Sequence, residues 1–162
     1  VMMGKSEATR LCCSFRIAGQ LFGVDILDVK EVTTETTSTR IAHAPEEMLG
    51  LVNIRGHIYL ALDLRRLLGM PASPVTSESR LVLFKPGVGD SFGVVVDEIS
   101  EIHNVDSDHI EAYSSSHRES IISKVRRVEL ITAICRLPDE LLVILDSRRF
   151  LNVVEQNYSQ TD

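Results

Sequence analysis

Apolar positions in this chain fall in short runs that alternate with polar residues, a spacing that predicts half-buried strands in most places. Residues 11–18 are apolar and partly alternating, Gly19-Gln20 marks a turn, and 21–26 put Phe22, Val24 and Ile26 on one face. These two runs read as a hairpin. Residues 28–32 carry Val29 and Val32 at a spacing that fits a helical turn. The threonine-rich stretch 33–39 reads as an edge strand or a loop. Pro45, with Gly50 just past the end, predicts a short helix over 45–49. Strands follow over 51–54 and 58–62, separated by Arg55-Gly56-His57. A short helix over 64–68 is then capped by Asp63 and stopped by Gly69 and Pro71. Residues 70–79 are rich in Pro, Ser and Thr and read as a linker. Strands resume at 81–85 and 92–96, and Ile99, Ile102 and Val105 then alternate with polar residues. The polar stretch 113–127 reads as a long loop or an exposed helix. Residues 130–136 and 141–145 form a last hairpin around Pro138-Asp139, and 147–154 a terminal helix capped by Asp146. A frayed tail follows from Asn157.

The chain resembles itself. Phe22-Gly23-Val24 returns as Phe92-Gly93-Val94, and Leu62-Asp63-Leu64-Arg65-Arg66-Leu67-Leu68-Gly69 as Leu145-Asp146-Ser147-Arg148-Arg149-Phe150-Leu151-Asn152. Each time an apolar strand runs into an Asp cap, two arginines and two large apolar residues, and ends on a residue tolerant of left-handed backbone. The second copy is longer, and the added length falls in the polar stretch after Tyr113. The pattern predicts two similar β lobes, each finished by a short helix. Closing each sheet into a small barrel would remove exposed strand edges.

At 162 residues, 44% hydrophobic and 25% charged, the chain suits one domain, or two small lobes sharing a core. Only 5% is aromatic and tryptophan is absent, so the core is expected to rest on Val, Ile and Leu. The net charge of −6 speaks against a nucleic-acid binder, which matches phosphates with a basic excess, and against docking on anionic lipid. No apolar run reaches the length of a membrane span, and the first residues lack an apolar signal core. A cytoplasmic protein without direct membrane insertion is expected. Cys12, Cys13 and Cys135, without CxxC spacing, read as reduced, buried thiols. In a strand, Cys12 and Cys13 would point to opposite faces.

Catalytic signals are sparse. His43, His57, His103, His109 and His117 include no pair at the i, i+4 spacing of a helical zinc site, and no Walker loop, dinucleotide fingerprint or nucleophile elbow occurs. His117-Arg118-Glu119-Ser120 has catalytic residue types, but a triad is assembled in space and gains nothing from sequence proximity. Asp106 and Asp108 lack the Gly and Glu that a calcium loop requires. No enzyme, cofactor or metal site is expected.

The most informative segment runs from Gly50 to Arg65. Gly50 and Gly56 bracket a short strand in which Asn53 and Arg55, two apart, share a polar face opposite Val52 and Ile54. Such a strand suits a barrel wall that is packed inside and functional outside. Glu31 is a candidate partner for Arg55, in a pair that either orients a binding surface or braces neighbouring strands.

These residues carry a resemblance to a known family. Phe15 through Phe22-Gly23-Val24, Val29-Lys30-Glu31-Val32, Ala44-Pro45, Asn53-x-Arg55-Gly56, Asp63-Leu64-Arg65 with Leu68-Gly69, Gly93 through Asp97, and 142–146 resemble the CheW-like domain of bacterial chemotaxis. The resemblance covers nearly the whole chain. It implies a mainly β fold of two small five-stranded β-barrel lobes around a shared apolar core, with short helices after the Asp63 and Asp146 strands. The expected organisation is a flexible N-terminus over 1–10, the domain over 11–154 and a tail over 155–162. The domain divides into halves of about 11–70 and 80–154 around the linker at 70–79. Activity is implied to be that of a non-catalytic adaptor without cofactors. Its implied partners are the regulatory domain of a CheA-type histidine kinase, paired barrel to barrel, and the cytoplasmic tip of methyl-accepting chemoreceptors, docked in the groove between the barrels. The implied place is the cytoplasm, at membrane-associated receptor arrays. Leu60, where the family often has Pro, and Ala133, where Gly is common, depart from the pattern. The stretch 114–129 has no strong match, and its Arg118, Lys124, Arg126 and Arg127 read as a solvated face.

Val29, Glu31, Gly50, Asn53 and Arg55 are expected to line or shape a partner surface. The alternative is a regulatory domain detached from a larger two-component signalling protein, although the chain offers no receiver domain, ATP-binding motif or phosphotransfer bundle. An enzyme would instead show convergent polar residues with shifted titration.

Overall fold

Alternation between buried and exposed positions turns the short apolar runs into strands. The computed structural model describes residues 10–114 and 125–160, with side chains in the last helix as far as Gln156. The expected flexible start, His117, Arg118 and Lys124 therefore lie outside the described residues, apart from Arg10. β1 (Arg10–Ile17) and β2 (Gln20–Asp25) form the expected hairpin. Its turn is Ala18-Gly19, both at positive φ, one residue earlier than the sequence suggests. A two-residue loop that follows the twist of its strands needs left-handed backbone at both positions. The helical turn lies earlier than 28–32: a 3-10 turn over Ile26–Asp28, capped by Asp25, leads straight into β3 (Val29–Thr33). β4 (Met48–Ile54) and β5 (His57–Asp63) follow. The helix expected over 45–49 is a turn, because Met48 already belongs to β4 and the Asp63 N–H donates to the Glu47 carbonyl.

Both Asp caps form as expected. Asp63 accepts the Arg65 N–H at 3.0 Å and starts α1 (Leu64–Leu67), which ends with Gly69 and Met70 N–H groups returning to the Arg66 and Arg65 carbonyls. After β6 (Arg80–Phe84), β7 (Phe92–Val96), β8 (Glu98–Val105), β9 (Ile110–Ala112), β10 (Ile131–Arg136) and β11 (Leu141–Leu145), Asp146 accepts the Arg148 N–H and starts a 3-10 turn. That turn runs into α2 (Phe150–Gln160), which continues past the expected end at 154. Each cap is worth about 1 kcal/mol.

The strands form two sheets, in the orders β8-β1-β2-β11-β10-β9 and β3-β6-β7-β5-β4. The mainly β fold in two lobes holds, while the pair of closed five-stranded barrels is corrected. One sheet has six strands, and the described ladders stop at β8 and β9 in one sheet and at β3 and β4 in the other. The larger sheet still curls strongly, since its two edge strands are joined only by Asp106 and the 3-10 turn Ser107–His109. That connection sits at the seam where a closing ladder would run. In the smaller sheet Thr39 pairs with Leu51 and covers part of the β4 edge.

The internal repeat is present, but the lobes are interleaved. β2, with Phe22-Gly23, lies parallel to β11, which leads to the Asp146 cap. β7, with Phe92-Gly93, lies parallel to β5, which leads to the Asp63 cap. Each lobe thus takes the Phe-Gly-Val strand from one half of the chain and the Asp-capped strand from the other. Residues 71–78 are exposed, and they do not separate the sheets.

This arrangement leaves a small core inside each curl and a larger one between the sheets. Val52, Tyr59 and Leu83 belong to one inner core, and Cys12, Leu142 and Ile144 to the other. The core between the sheets holds Phe15, Phe22, Phe84, Phe92 and Phe150, every phenylalanine of the chain, so aromatic residues carry more of it than their low number suggests. Phe84 stacks on Phe92 at 5.0 Å and meets Phe150 edge-on at 5.9 Å. Full burial of each is worth roughly 1.5–3 kcal/mol. Cys13 faces this shared core and Cys12 faces the inner one, as adjacent strand positions require. All three cysteines are free and buried, and burial pushes the Cys12 thiol up to about 11.

Candidate functional site

The Asn53-x-Arg55-Gly56 element closes the β4–β5 hairpin. Ile54 pairs with His57, which leaves Arg55 and Gly56 as the loop, both at positive φ. The Asn53 side-chain oxygen accepts the Gly56 N–H at 2.7 Å and fixes that turn. Asn53 and Arg55 therefore do not share a strand face: Arg55 sits in the turn, and Asn53 holds it. Val52 and Ile54 point inward as expected. The turn presents the Arg55 guanidinium to Glu31 on β3, and the two form a salt bridge, with side chains 71% and 28% exposed.

Val29 and Gly50 lie elsewhere. Val29 packs against the core between the sheets. A bulge between Val29 and Glu31 shifts the ladder to β6, and Lys30 reaches the Tyr59 hydroxyl at 2.8 Å. Gly50 lies within β4, not past a helix end, at φ +145 and beside a second register shift. A Cβ there would stand 2.2 Å from the Thr39 carbonyl oxygen, so Gly50 is what lets the Thr39 segment cover the β4 edge.

The lobes are tied by charge as well as by the core. The Asp97 carboxylate, between β7 and β8, accepts the Ala18 N–H at 2.8 Å and binds Arg65 of α1, with Nε at 3.0 Å. Burial opposes the Asp97 charge, but the hydrogen bonds from Arg65 and Ala18 and the charge of Arg65 hold its carboxyl below its ordinary value. Asp63 shifts the other way, raised by burial.

A second feature escaped the sequence reading. Ile99 lies opposite Phe15, and Ile102 opposite Cys13. Both partners face the core between the sheets, so two residues three apart on β8 share one face. A bulge makes this possible. The register slips between Cys13 and Phe15, and the intervening Ser14 hydroxyl donates to the Glu101 carbonyl. Leu11, two residues from Cys13, continues the same face. Leu11, Ile102 and Ile99 form an apolar stripe on the rim of the shared core, 47%, 60% and 38% exposed. A regular strand would have placed Ile99 and Ile102 on opposite faces, so only the alternation with polar residues was visible beforehand.

His57 meets the Ser91 hydroxyl at 3.0 Å on the surface, and among the described residues no carboxylate orients the ring. Among the described residues no three His, Cys, Asp or Glu side chains gather to hold a metal ion, and no helix is long and apolar enough to cross a membrane.

Residues 12–155 match the family model described as the CheW-like domain. The chain belongs to this family. Among curated relatives, the probable chemotaxis protein CheW of Rhizobium etli is 35% identical over 108 residues, 65% of this chain and 68% of that protein. The chemotaxis protein CheW of Klebsiella aerogenes is 25% identical over 142 residues, 87% of this chain and 81% of that one. Among solved structures, the scaffolding protein TtCheW of Thermoanaerobacter tengcongensis superposes with a TM-score of 0.71 at 26% identity, covering 84% of this chain and 88% of that one. The interleaved two-lobe β fold is thus the fold of a chemotaxis scaffold.

Proposed function

We propose that this protein is a non-catalytic, cytoplasmic adaptor that couples chemoreceptors to a CheA-type histidine kinase at membrane-associated receptor arrays. The observation that carries the reading is the apolar stripe of Leu11, Ile102 and Ile99, exposed on a fold shared with a CheW scaffolding protein. Exposed aliphatic side chains at the edge of a core suit a helix that lays its own apolar face along the groove between the lobes. The cytoplasmic tip of a methyl-accepting chemoreceptor is such a helix. The β4–β5 turn, with Glu31, Asn53 and Arg55, is assigned to the kinase regulatory domain. Val29 and Gly50 shape the strands that lead to that surface, Val29 next to the bulge of β3 and Gly50 within β4. Interfaces of this kind bury roughly 1,200–2,000 Å² in total, or less when transient. The curated relatives are CheW proteins, which favours an adaptor over a domain detached from a larger signalling protein.

The test is calorimetric titration against the kinase regulatory domain and, separately, a receptor cytoplasmic fragment. Both are expected to bind saturably. Ile102→Asp is expected to abolish receptor binding and to leave kinase binding unchanged. Saturable binding of neither partner would refute the adaptor reading. Receptor binding that survives the aspartate would remove the stripe from it.

A further inference from the structure

We propose that Arg40, Arg66 and Arg126 form a docking site for an acidic, aliphatic segment of a partner protein. The site goes beyond the coupling reading and uses neither the apolar stripe nor the β4–β5 turn. Its frame is the junction between α1 and the segment leading to β10. The Arg126 and Arg127 N–H groups both donate to the Leu68 carbonyl, at 2.8 and 3.2 Å. The Arg127 guanidinium donates to the Arg66 and Leu67 carbonyls and pairs at 3.0 Å with Glu47, which is 2% exposed. Arg127 is thus a structural clamp and not part of a solvated face. Gly69 leaves room for this approach, since a Cβ on it would stand 2.7 Å from the Arg126 Cβ. The Arg126 backbone is fixed while its side chain is exposed, which preorganises the cation and lowers the entropic cost of binding.

The cations here are under-used. Neither Arg40 nor Arg126 has an ion-pair partner among the described residues, and Arg66 is held at 3.4 Å by Glu46, itself 66% exposed. Two clefts, of about 340 and 570 Å³, share Arg66 and Glu46. The first is also lined by Arg126, Met70 and Pro71, and the second by Arg40, Ile41 and Leu49. Asp63, also at the second cleft, is engaged in capping α1. Linings that mix guanidiniums with aliphatic side chains suit a chain that alternates carboxylates with aliphatic side chains. A single phosphate would need the guanidiniums to converge on one point, and they are spread across two clefts. On a chain of net charge −6, such a patch attracts an acidic segment where the net charge of the protein repels it.

The experiment is an NMR titration of the isotope-labelled full chain with a synthetic peptide alternating glutamate and leucine. The controls are the same peptide with lysine for glutamate, and inorganic phosphate. Saturable shifts confined to residues 40–49, 66–72 and 126–127 are expected from the acidic peptide alone. The double variant Arg40→Glu/Arg126→Glu should weaken that binding about tenfold or more, as should high salt. Should that variant lose its native amide spectrum, Arg40→Gln/Arg126→Gln makes the same comparison. No saturation, equal binding of the lysine peptide, equal shifts from phosphate, or unchanged affinity in the folded variant would each overturn the proposal.

Discussion

Replacing Arg55 by glutamate decides which role the Glu31–Arg55 pair plays. The substitution sets a second carboxylate beside Glu31 at a site where the Arg55 side chain is 71% exposed and Glu31 28% exposed. Pairs this open to water contribute about 0–1 kcal/mol, and like charges in their place cost a similar amount. The backbone at position 55 has φ +52, a strain that glutamate bears no worse than arginine. The total loss is therefore at most about 2 kcal/mol. For a chain of this size each kcal/mol moves the melting temperature by roughly 2–4 °C, so a fall of a few degrees is expected by calorimetry. Binding to the kinase regulatory domain is expected to disappear in a protein that is still fully folded at the assay temperature. The charge-swapped double variant Glu31→Arg/Arg55→Glu should recover the melting temperature and leave binding lost, because the partner reads the position of the cation. A stability loss above about 3 kcal/mol, with binding restored in the double variant, would refute this reasoning and make the pair a brace.

Three further perturbations test the frame of the site. Gly50→Ala should cost about 3 kcal/mol or more in urea unfolding, because its Cβ meets the Thr39 carbonyl; a near-native midpoint would mean that the segment does not cross there. Asn53→Ala should lose roughly 0.5–1.5 kcal/mol with the Gly56 bond, whereas Asn53→Asp keeps an acceptor and should stay within a few tenths of wild type. Equal losses in the two variants would exclude the turn-fixing role. The Asp97 carboxyl is held below its ordinary value, so it adds stability that is complete above its unfolded pKa and is lost as pH falls through the lower folded one. Asp97→Asn should reduce stability at neutral pH and flatten the acid limb of a stability–pH curve, and an acid limb identical to wild type would rule that contribution out.

Local chemistry was legible in the sequence. The β1–β2 hairpin, the caps at Asp63 and Asp146 and the inward face of Val52 and Ile54 follow from periodicity and capping, which depend on near neighbours alone. The Glu31–Arg55 pair was within reach because its residue types are complementary. Pro45 was less informative, since proline starts turns and helices equally well, and the choice was made by a distant partner, the Asp63 N–H that holds Glu47. The stripe lay beyond local reasoning for the same cause. Ile99 and Ile102 share a face only because β8 bulges against Ser14, a residue far away in sequence.

Sheet assignment depended most on distant pairing. The repeat correctly signalled two lobes, but a repeat in sequence says nothing about which copy pairs with which. Parallel strands need long connections, and here β2 meets β11 and β5 meets β7 across the two halves of the chain. That exchange bears on the proposed function. Each lobe needs strands from both halves, so the halves of the chain cannot separate without unpairing strands, and all five phenylalanines sit between the sheets, so the lobes cannot part without opening that core. The Asp97 link to Arg65 and Ala18 adds a polar tie at the same junction. The rim that carries Leu11, Ile102 and Ile99 is therefore built on the core that joins the lobes. For the proposed adaptor, a stripe whose backbone is already paired in the sheet leaves less to order on binding than an unpaired segment would.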